Sequence, residues 1–316
     1  MPDLILHNYS RSPFSEKVRL LLGHKKLTWK SVTIPAIMPK PDLQALTGGY
    51  RRTPVLQIGS DVYCDTALIA DVLEHIAPSP TLYPEPEKGM SRILAQWADG
   101  TLFWAAMAYN LQPEGAAEVF AGMPPEAAKA FGEDRGKMSG SGMTRLRPAD
   151  AAGAYKSYLR RLSDMLDDKP FLLGEMPCIA DFSAYHPLWY TRRIAAVKDI
   201  LDLTPAVLDW MDRVAAVGHG DSSPMGAQEA LAVSGSAAGS QSLLSDSTFQ
   251  DDHGIALGSQ VTIRAETFGP EETAGELVAA SRMHYTLRRI DPRAGTVDVH
   301  FPRIGYVLRL AEAGSP

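Results

Sequence analysis

The fold of this chain is decided by residues 4–15, which read LILHNYSRSPFS. The apolar run that opens this stretch predicts a short buried strand. Ser12 and Pro13 then predict the start of a helix, because a hydroxyl residue is favoured at the N-cap and proline at the first helical position. From Phe14 onward, apolar residues recur at the spacing of one helix face. The stretch therefore predicts a strand that leads through a short loop into a helix N-terminus.

Alternating strand and helix signals continue after this first unit. Residues 29–34 predict a second strand, and a weak helix follows that ends at Gly48. A Gly-Ser turn separates two apolar runs, at residues 55–58 and 61–64, which is typical of a β-hairpin. Another helix begins at Asp65. The order β-α-β-α-β-β-α predicts a mixed sheet with helices packed on it.

The remainder of the chain divides by composition. Four prolines between residues 78 and 86 indicate a linker, and residues 88–217 are predicted to be nearly all helical. The segment 218–253 is rich in Gly, Ser and Ala, so we expect a short helix near residues 227–233 and then a flexible tether. Apolar residues alternate with polar ones in 254–312, which predicts a small β module of three to five strands.

The composition is that of an ordinary globular protein. Hydrophobic residues make up 45% of the 316 residues and charged residues 22%. A net charge of −6 argues against a partner such as nucleic acid or an anionic membrane, because either would require a basic face. No apolar run approaches the roughly 20 residues of a transmembrane helix, and the N-terminus lacks a signal-peptide pattern. The two cysteines exclude a disulfide scaffold, so we expect a cytoplasmic protein.

Ser12 lies where an anion would be stabilised. A helix N-terminus has unpaired N–H groups and a positive partial charge. A serine at this position can also donate its O–H to a bound anion, including a thiolate. The alternative is that Ser12 serves only as an N-cap. The Thr53-Pro54 pair before the hairpin and the Asp65-Thr66 pair before the next helix favour a binding site.

The chain resembles the soluble glutathione transferases at four motifs. These are SPFS at residues 12–15, GGYRRTPVL at 48–56, DTALIA at 65–70, and FLLGE at 171–175 continuing to IADF at 179–182. The four occur in the order and at the spacing of that family. Ser12 and Ser15 replace both cysteines of the Cys-x-x-Cys of thioredoxin-like redox proteins, which argues against disulfide exchange. Among the members of that family, the chain resembles the bacterial serine type.

The resemblance covers residues 3–235 and implies the fold class. It implies an α/β thioredoxin-like N-terminal domain at residues 1–80, followed by an all-α helical domain at residues 88–235. The β-rich module at residues 254–312 lies outside the resemblance. We expect this module to pack on the rest of the chain or to extend a dimer contact. A homodimer is implied by the family alone.

The resemblance also implies a role for Ser12. In this family type, the serine hydroxyl stabilises the thiolate of glutathione. A free thiol with a pKa of about 8.5 is only slightly ionised at neutral pH, and the thiolate is the nucleophile. A charge-assisted hydrogen bond of about 1.5–3 kcal/mol is large enough to lower that pKa by about two units. Ser12 is then the catalytic residue without being a nucleophile.

Four further residues are implied to bind glutathione. Thr53 precedes Pro54, and in the resembled fold this bond is cis and exposes the Thr53 backbone to the tripeptide. Asp65 and Thr66 would bind the γ-glutamyl end through the carboxylate, backbone and hydroxyl. From the residues alone, Thr53-Pro54 is equally compatible with an edge strand, and Asp65-Thr66 with helix capping.

The remaining site assignments concern the two ends of the cleft. Lys40 and Arg52 are alternatives for binding the glycyl carboxylate, although a surface cation is usually only solvated. Tyr9, Trp104 and Tyr109 are candidates for the walls of the pocket of the second substrate, a small electrophile. The alternative for each aromatic residue is the core of the helical domain.

Several residues depart from the pattern or lie outside it. Cys178 replaces the usual Ser or Thr cap of the core helix, so we expect a weaker cap. Cys64 is expected to be a buried apolar residue. His284, Asp298 and His300 do not match a metal-ligand spacing, so we expect solvated strand residues and no metal.

The sequence thus predicts a glutathione-dependent transferase that uses glutathione as co-substrate. One alternative is a protein that binds glutathione or an apolar ligand with little turnover. The other is a protein whose function lies in the C-terminal module. If the transferase hypothesis holds, we expect truncation after about residue 240 to leave glutathione binding unchanged.

Overall fold

The computed structural model of the protein describes residues 3–139, 146–237, 243–244, 248–250 and 252–311. Two large apolar cores organise these residues, one among the helices and one beneath a sheet. Within the described ranges, no helix combines the length and the apolar character that a bilayer crossing requires.

The N-terminal region has the predicted β-α-β-α-β-β-α order. Its elements are β1 (Ile5–Asn8), α1 (Pro13–His24), β2 (Thr28–Thr33), α2 (Pro41–Thr47), β3 (Val55–Ile58), β4 (Asp61–Cys64) and α3 (Thr66–Ile76). β1 pairs with β2 in parallel and with β3 in antiparallel orientation, and β3 and β4 form the predicted hairpin. This is the thioredoxin-like domain that the resemblance implies.

Helix α1 begins as its sequence predicts. Ser12 has an extended backbone, and its Oγ accepts a hydrogen bond of 3.1 Å from the N–H of Ser15. Pro13 occupies the first helical position, where its missing N–H costs nothing. Val18 and Leu21 are fully buried on the face that packs into the core. Capping and burial together hold the N-terminus of this helix at the end of β1.

The second region is helical. Its helices are α4 (Lys88–Trp97), α5 (Phe103–Asn110), α6 (Pro113–Val119), α7 (Pro125–Met138), α8 (Pro148–Met165), α9 (Ile179–Arg192) and α10 (Pro205–Ala215). A later helix, α11 (Ala227–Ser236), packs instead against α2 and β2 of the first domain. A five-residue π-helical turn, Ala98–Leu102, joins α4 to α5, and a 3-10 turn, Lys198–Leu203, precedes α10. The short helix expected near residues 227–233 is α11. Of the tether expected after it, residues 238–242, 245–247 and 251 lie outside the described residues.

The buried start of α9 is held by Asp181. Its carboxylate accepts hydrogen bonds of 2.9 Å from the N–H groups of Cys178 and Leu172 and from Nε1 of Trp210. Three donors at one buried carboxylate tie the loop before α9 to α10. The N-terminus of this helix is thereby anchored at a position where Cys178 replaces the usual hydroxyl cap.

The C-terminal region adds strands to both edges of the first domain. The strands are β5 (Asp221–Pro224), β6 (Gln260–Ala265), β7 (Thr273–Ala280), β8 (His284–Asp291), β9 (Gly295–Pro302) and β10 (Tyr306–Leu310). β5 pairs with β2 and β9 pairs with β4, both in parallel orientation. The described strands form one sheet in the order β10-β6-β7-β8-β9-β4-β3-β1-β2-β5. The predicted β module is confirmed, and it continues the thioredoxin-like sheet.

The contact between β4 and β9 contains a buried polar cluster. Nε2 of His300 lies 2.7 Å from Oδ1 of Asp61, and its Nδ1 lies 2.9 Å from the hydroxyl of Thr286. The imidazole also stacks on Tyr63, with ring centroids 4.5 Å apart. The cluster thus gives hydrogen-bond partners to buried polar side chains of the first domain and of the C-terminal strands.

The expectation that three polar residues of the module are solvated is wrong. His284, Asp298 and His300 are 4%, 4% and 0% exposed. Asp298 forms a bidentate ion pair with Arg288, in which Nε and Nη2 of the guanidinium each lie 2.9 Å from a carboxylate oxygen. Asp298 and His300 are buried because β9 pairs with β4 of the first domain, whereas His284 is held inside the module, where its Nδ1 lies 2.7 Å from the hydroxyl of Ser281.

The apolar core beneath the sheet is shared between the two regions. Val32, Leu46 and Val62 of the first domain belong to the same buried cluster as Leu287 and Val299 of the module. The module therefore covers apolar surface that the N-terminal domain would otherwise expose.

Candidate functional site

A cavity of about 760 Å³ lies between the N-terminal domain, the helical region and the loop that joins β6 to β7. Nine of the ten residues predicted for the site line it: Tyr9, Ser12, Lys40, Arg52, Thr53, Pro54, Asp65, Thr66 and Trp104. The fold thus brings together residues that the sequence places on separate elements.

Tyr109 does not line the cavity, which corrects its assignment to the second-substrate pocket. Its ring lies 5.6 Å from that of Tyr155, and its hydroxyl donates to the carbonyl of Val197 at 3.3 Å. On α5, Trp104 and Met107 face the cavity. A residue five positions after Trp104 is rotated by about 140° around a helix of 3.6 residues per turn, so Tyr109 faces the helical core.

Ser12 lines the cavity at the N-terminus of α1 and is 3% exposed. Its Oγ is engaged as an acceptor by the N–H of Ser15. Within the described ranges, no protein group accepts its hydroxyl proton. A hydroxyl in this state can donate to an anion without breaking the helix cap.

Thr53 and Lys40 form one end of the site. The Thr53–Pro54 peptide bond is cis, as the resemblance implies. Nζ of Lys40 donates to the Thr53 hydroxyl at 3.0 Å and to the carbonyl of Arg51 at 3.1 Å. Burial, reinforced by the charges of Arg135 and Arg51, lowers the pKa of Lys40 to about 8.

Asp65 occupies an uncommon backbone conformation at the turn into α3. Its φ is +77°, a region that L residues other than Asn and Asp rarely adopt. Oδ1 accepts the N–H of Ala67 at 2.9 Å and so caps α3. Oδ2 accepts the hydroxyl of Tyr306 at 3.1 Å and lies 3.8 Å from the guanidinium of Arg52. Strained residues cluster at functional sites because the surrounding structure holds them in place.

A buried ion pair underlies the Thr66 end of the cavity. Lys17 is 0% exposed, and its Nζ lies 2.6 Å from Oδ2 of Asp99 and 3.0 Å from the Thr66 hydroxyl. Nε2 of His186 lies 3.0 Å from Oδ1 of Asp99. Burial opposes ionisation of Asp99, but Lys17 and His186 outweigh it and hold the pKa of Asp99 below its usual value.

Sequence reasoning missed this network. Asp99 lies in the π-helical turn Ala98–Leu102 and lines the cavity. The sequence carries no periodic signal for a π turn. Lys17 lies on the helix that Ser12 begins, but a lysine in a helix is usually solvated, so nothing indicated its burial.

The C-terminal module contributes Thr267 and Phe268 to the cavity wall and Tyr306 as a partner of Asp65, none of which the sequence indicated. The carbonyl of Phe268 accepts a hydrogen bond from Nε of Arg52 at 2.5 Å, and the ring of Phe268 lies 5.0 Å from that of Trp104. Burial raises the pKa of Tyr306, so its hydroxyl keeps its proton and donates to Asp65. The module is therefore part of the cavity wall.

Neither cysteine lines the cavity. Cys64 and Cys178 are free and fully buried, and burial raises the pKa of both thiols. Cys64 is thus the buried small residue that its strand position predicts. In the part of the chain that the structure describes, no cluster of three His, Cys, Asp or Glu side chains is arranged to hold a metal ion.

Two family models match the chain. The model of the glutathione S-transferase N-terminal domain matches residues 6–81, and that of the glutathione S-transferase C-terminal domain matches residues 126–213. No match is found among curated protein sequences.

Solved structures extend the comparison. A GST-like protein from Pseudomonas syringae is 41% identical, with a TM-score of 0.81 over 98% of this chain and 100% of that one. A glutathione S-transferase from Rhodospirillum rubrum F11 is 20% identical, with a TM-score of 0.53 over 67% of this chain and 88% of that one. FzlA from C. crescentus is 22% identical, with a TM-score of 0.50 over 67% of this chain and 87% of that one. The last two share the fold, whereas the Pseudomonas protein also matches the C-terminal strands.

The two domain models and the relative that spans nearly the whole chain agree with the thioredoxin-like domain, the helical region and the cavity between them. This chain therefore belongs to the soluble glutathione S-transferase family.

Proposed function

We propose that the protein is a glutathione transferase of the serine type, in which Ser12 stabilises the thiolate of glutathione for attack on a small electrophile. The observation that carries the proposal is the state of the Ser12 hydroxyl. It lines the cavity at a helix N-terminus and accepts from Ser15, which leaves its proton free to donate. The sulfur of a bound glutathione would accept a hydrogen bond from this hydroxyl.

Ser12 and the N-terminus of α1 can supply the free energy that is needed to ionise the thiol of glutathione near neutral pH. A thiol pKa that falls by about two units corresponds to roughly 2.7 kcal/mol in favour of the thiolate. A hydrogen bond to a charged acceptor contributes about 1.5–3 kcal/mol, and the helix N-terminus adds about 0.3–1 kcal/mol. Ser12 and α1 together therefore contribute about as much free energy as the lower thiol pKa requires.

The other residues orient the tripeptide around that contact. Asp65 and Thr66 would bind the γ-glutamyl ammonium and carboxylate, and the backbone of Thr53 would pair with the middle of the peptide. Lys40 lies beside Thr53 and would bind the glycyl carboxylate, which favours it over Arg52, whose guanidinium faces Asp65 and Phe268. The support is the single cavity that all of these residues line.

The reaction then needs no covalent step on the protein. The thiol proton leaves to solvent, and the thiolate sulfur forms a bond to the electrophilic carbon. In a substitution the leaving group departs with the electron pair of the broken bond. Ser12 keeps its own proton and holds the sulfur until the new bond forms.

Replacing Ser12 by Ala tests the proposal. We expect kcat/KM with glutathione and a generic aryl halide to fall by roughly 30-fold or more, as the loss of a charge-assisted hydrogen bond implies. The pKa of the bound thiol, followed by thiolate absorbance, should rise by about one to two units, because the helix N-terminus remains. Ser12→Thr keeps the hydroxyl and should retain most of both properties.

Ser15→Ala is the matched control. It makes the same substitution three residues later, in the first turn of α1, where the Ser15 hydroxyl lies outside the cavity wall and has no hydrogen-bond partner among the described residues. Unchanged turnover in Ser12→Ala would contradict the role of the hydroxyl. Retention on a glutathione resin without turnover in the wild type would instead favour a glutathione-binding protein.

A further inference from the structure

We propose that Phe268, on the loop of residues 266–272 between β6 and β7, is a specificity-determining residue that adapts the electrophile cavity to aromatic substrates. The inference rests on the proposed glutathione site and concerns the second substrate. The loop comes from the C-terminal module, which lies outside both matched domain models. Thr267 and Phe268 nevertheless line the same cavity as Ser12.

The ring of Phe268 packs against the helical region. Its centroid lies 5.0 Å from the Trp104 ring at an interplanar angle of 62°. An edge-to-face pair at this distance is an attractive aromatic contact. Trp104 belongs to α5, so this contact places a side chain of the module directly opposite the helical wall of the cavity.

Contacts on both sides fix the loop in that position. The N–H of Gly269 donates to the carbonyl of Met138 at 2.7 Å. The carboxylate of Glu271 pairs with the guanidinium of Arg51 at 2.7 Å. The hydroxyl of Thr273 donates to the carbonyl of Thr47 at 2.9 Å. The loop is thus anchored to α7, α2 and the segment that precedes Thr53.

The backbone next to the ring also approaches its neighbours closely. The carbonyl of Phe268 accepts from Nε of Arg52 at 2.5 Å. Gly269 has a φ of +69°, and a Cβ there would lie 3.2 Å from Met138 and 3.3 Å from Arg52. Any other residue would place a side chain on a left-handed backbone, and Met138 and Arg52 would have to shift by a few tenths of an ångström to make room for it. The orientation of Phe268 is therefore set by the tertiary contacts of its own loop.

The chemistry of the wall indicates the substrate class. The aromatic side chains that line the cavity include Phe103, Trp104, Phe120, Phe131, Tyr190 and Phe268. Aromatic rings attract one another in offset or edge-to-face arrangements beyond the effect of area alone. A cavity with this lining favours an electrophile that carries an aryl group over a small aliphatic one.

The experiment compares the binding of two glutathione conjugates by calorimetry. S-benzylglutathione carries an aromatic group into the electrophile cavity, whereas S-methylglutathione carries only a methyl group. In Phe268→Ala we expect roughly tenfold weaker binding of S-benzylglutathione and a change below about twofold for S-methylglutathione. The substitution leaves the backbone carbonyl that Arg52 contacts. Phe268→Tyr keeps the ring and should restore wild-type affinity for both ligands.

Ile290→Ala is the matched control in the same module. Ile290 is 82% exposed and does not line the cavity, so neither affinity should change. Equal losses for both ligands in Phe268→Ala, or no loss, would overturn the role of Phe268 and leave the glutathione site standing. A wild type that binds neither conjugate would overturn the glutathione site and this inference together.

Discussion

At the scale of single residues, the site combines groups whose charges are set by burial. Lys40 is 2% exposed, and only part of its hydrogen-bonding capacity is used by Thr53 and Arg51. Its ammonium has three donors, so one remains for a carboxylate. Because the pKa of Lys40 lies at about 8, the charge of this residue changes close to neutral pH.

We expect the affinity for S-methylglutathione to depend on pH through Lys40. A carboxylate binds the ammonium form, so affinity should be highest below pH 8 and fall as the pH rises through that value. Calorimetric titration between about pH 6 and 9 measures this dependence. Lys40→Met should weaken binding roughly tenfold near pH 7 and abolish this component of the dependence. An equally steep fall in Lys40→Met would assign the titration to another group.

At the scale of elements, the contact between β4 and β9 unites the two parts of the sheet. Parallel strands separated by this much sequence must each bury a face and satisfy their polar side chains. Val62 and Val299, which lie opposite each other, are both fully buried. Asp61 and His300 lie diagonally across this pair, and their contact of 2.7 Å gives both polar side chains a partner. Tyr63 stacks on the imidazole.

His300→Ala should therefore destabilise the protein. The carboxylate of Asp61, which is 3% exposed, would lose its contact with the imidazole. We expect the free energy of unfolding to fall by about 2 kcal/mol or more, measured by urea denaturation. Hydrogen exchange in β9 should accelerate. His75→Ala removes an exposed histidine from α3 and should change neither quantity. A His300→Ala variant as stable as His75→Ala would show that the pair does not hold β4 to β9.

At the scale of the whole molecule, the C-terminal module covers the core and also forms part of the site. It contributes Leu287 and Val299 to the apolar cluster beneath the sheet, and Phe268 to the cavity wall. The two family models match residues 6–81 and 126–213 and leave this module out. The match to the Pseudomonas relative covers 98% of the chain and so includes the module. The expected homodimer stays a prediction. The described edges of the thioredoxin-like sheet are already paired within one chain by β5 and β9.

Removal of residues 238–316 should destabilise the N-terminal domain. Val55, Leu46 and Val62 are fully buried and share a cluster with the module. Exposure costs about 1.5–3 kcal/mol for each such side chain, so the loss reaches roughly 5 kcal/mol, which is comparable to the stability of many domains. The sequence alone predicts instead that a chain truncated near residue 240 keeps glutathione binding.

Solubility, thermal unfolding and retention on a glutathione resin distinguish the two expectations. The structure predicts an aggregating chain, or one with a markedly lower Tm, that is rescued in part when residues 248–316 are supplied in trans. A truncated chain that unfolds cooperatively near the wild-type Tm and still binds the resin would show that the shared core is dispensable.

The sequence by itself determined what depends on neighbouring residues. Capping at Ser12 and Pro13, the hairpin of residues 55–64 and the alternation in residues 254–312 are local, because hydrogen bonding and side-chain periodicity act over a few positions. The first domain and its helix starts were therefore predictable, and the family resemblance supplied nine of the residues that line the cavity together with their roles.

Only the tertiary structure decided which distant residues meet. Arg52 contacts Phe268 across 216 positions of sequence, and no local pattern indicates such a contact. Tyr109 points away from the cavity because packing sets the phase of α5, and Asp99, in the π turn before α5, lines the cavity. These outcomes depend on how the buried faces of separate elements fit together, and that fit exists only once the whole sheet and both cores have formed.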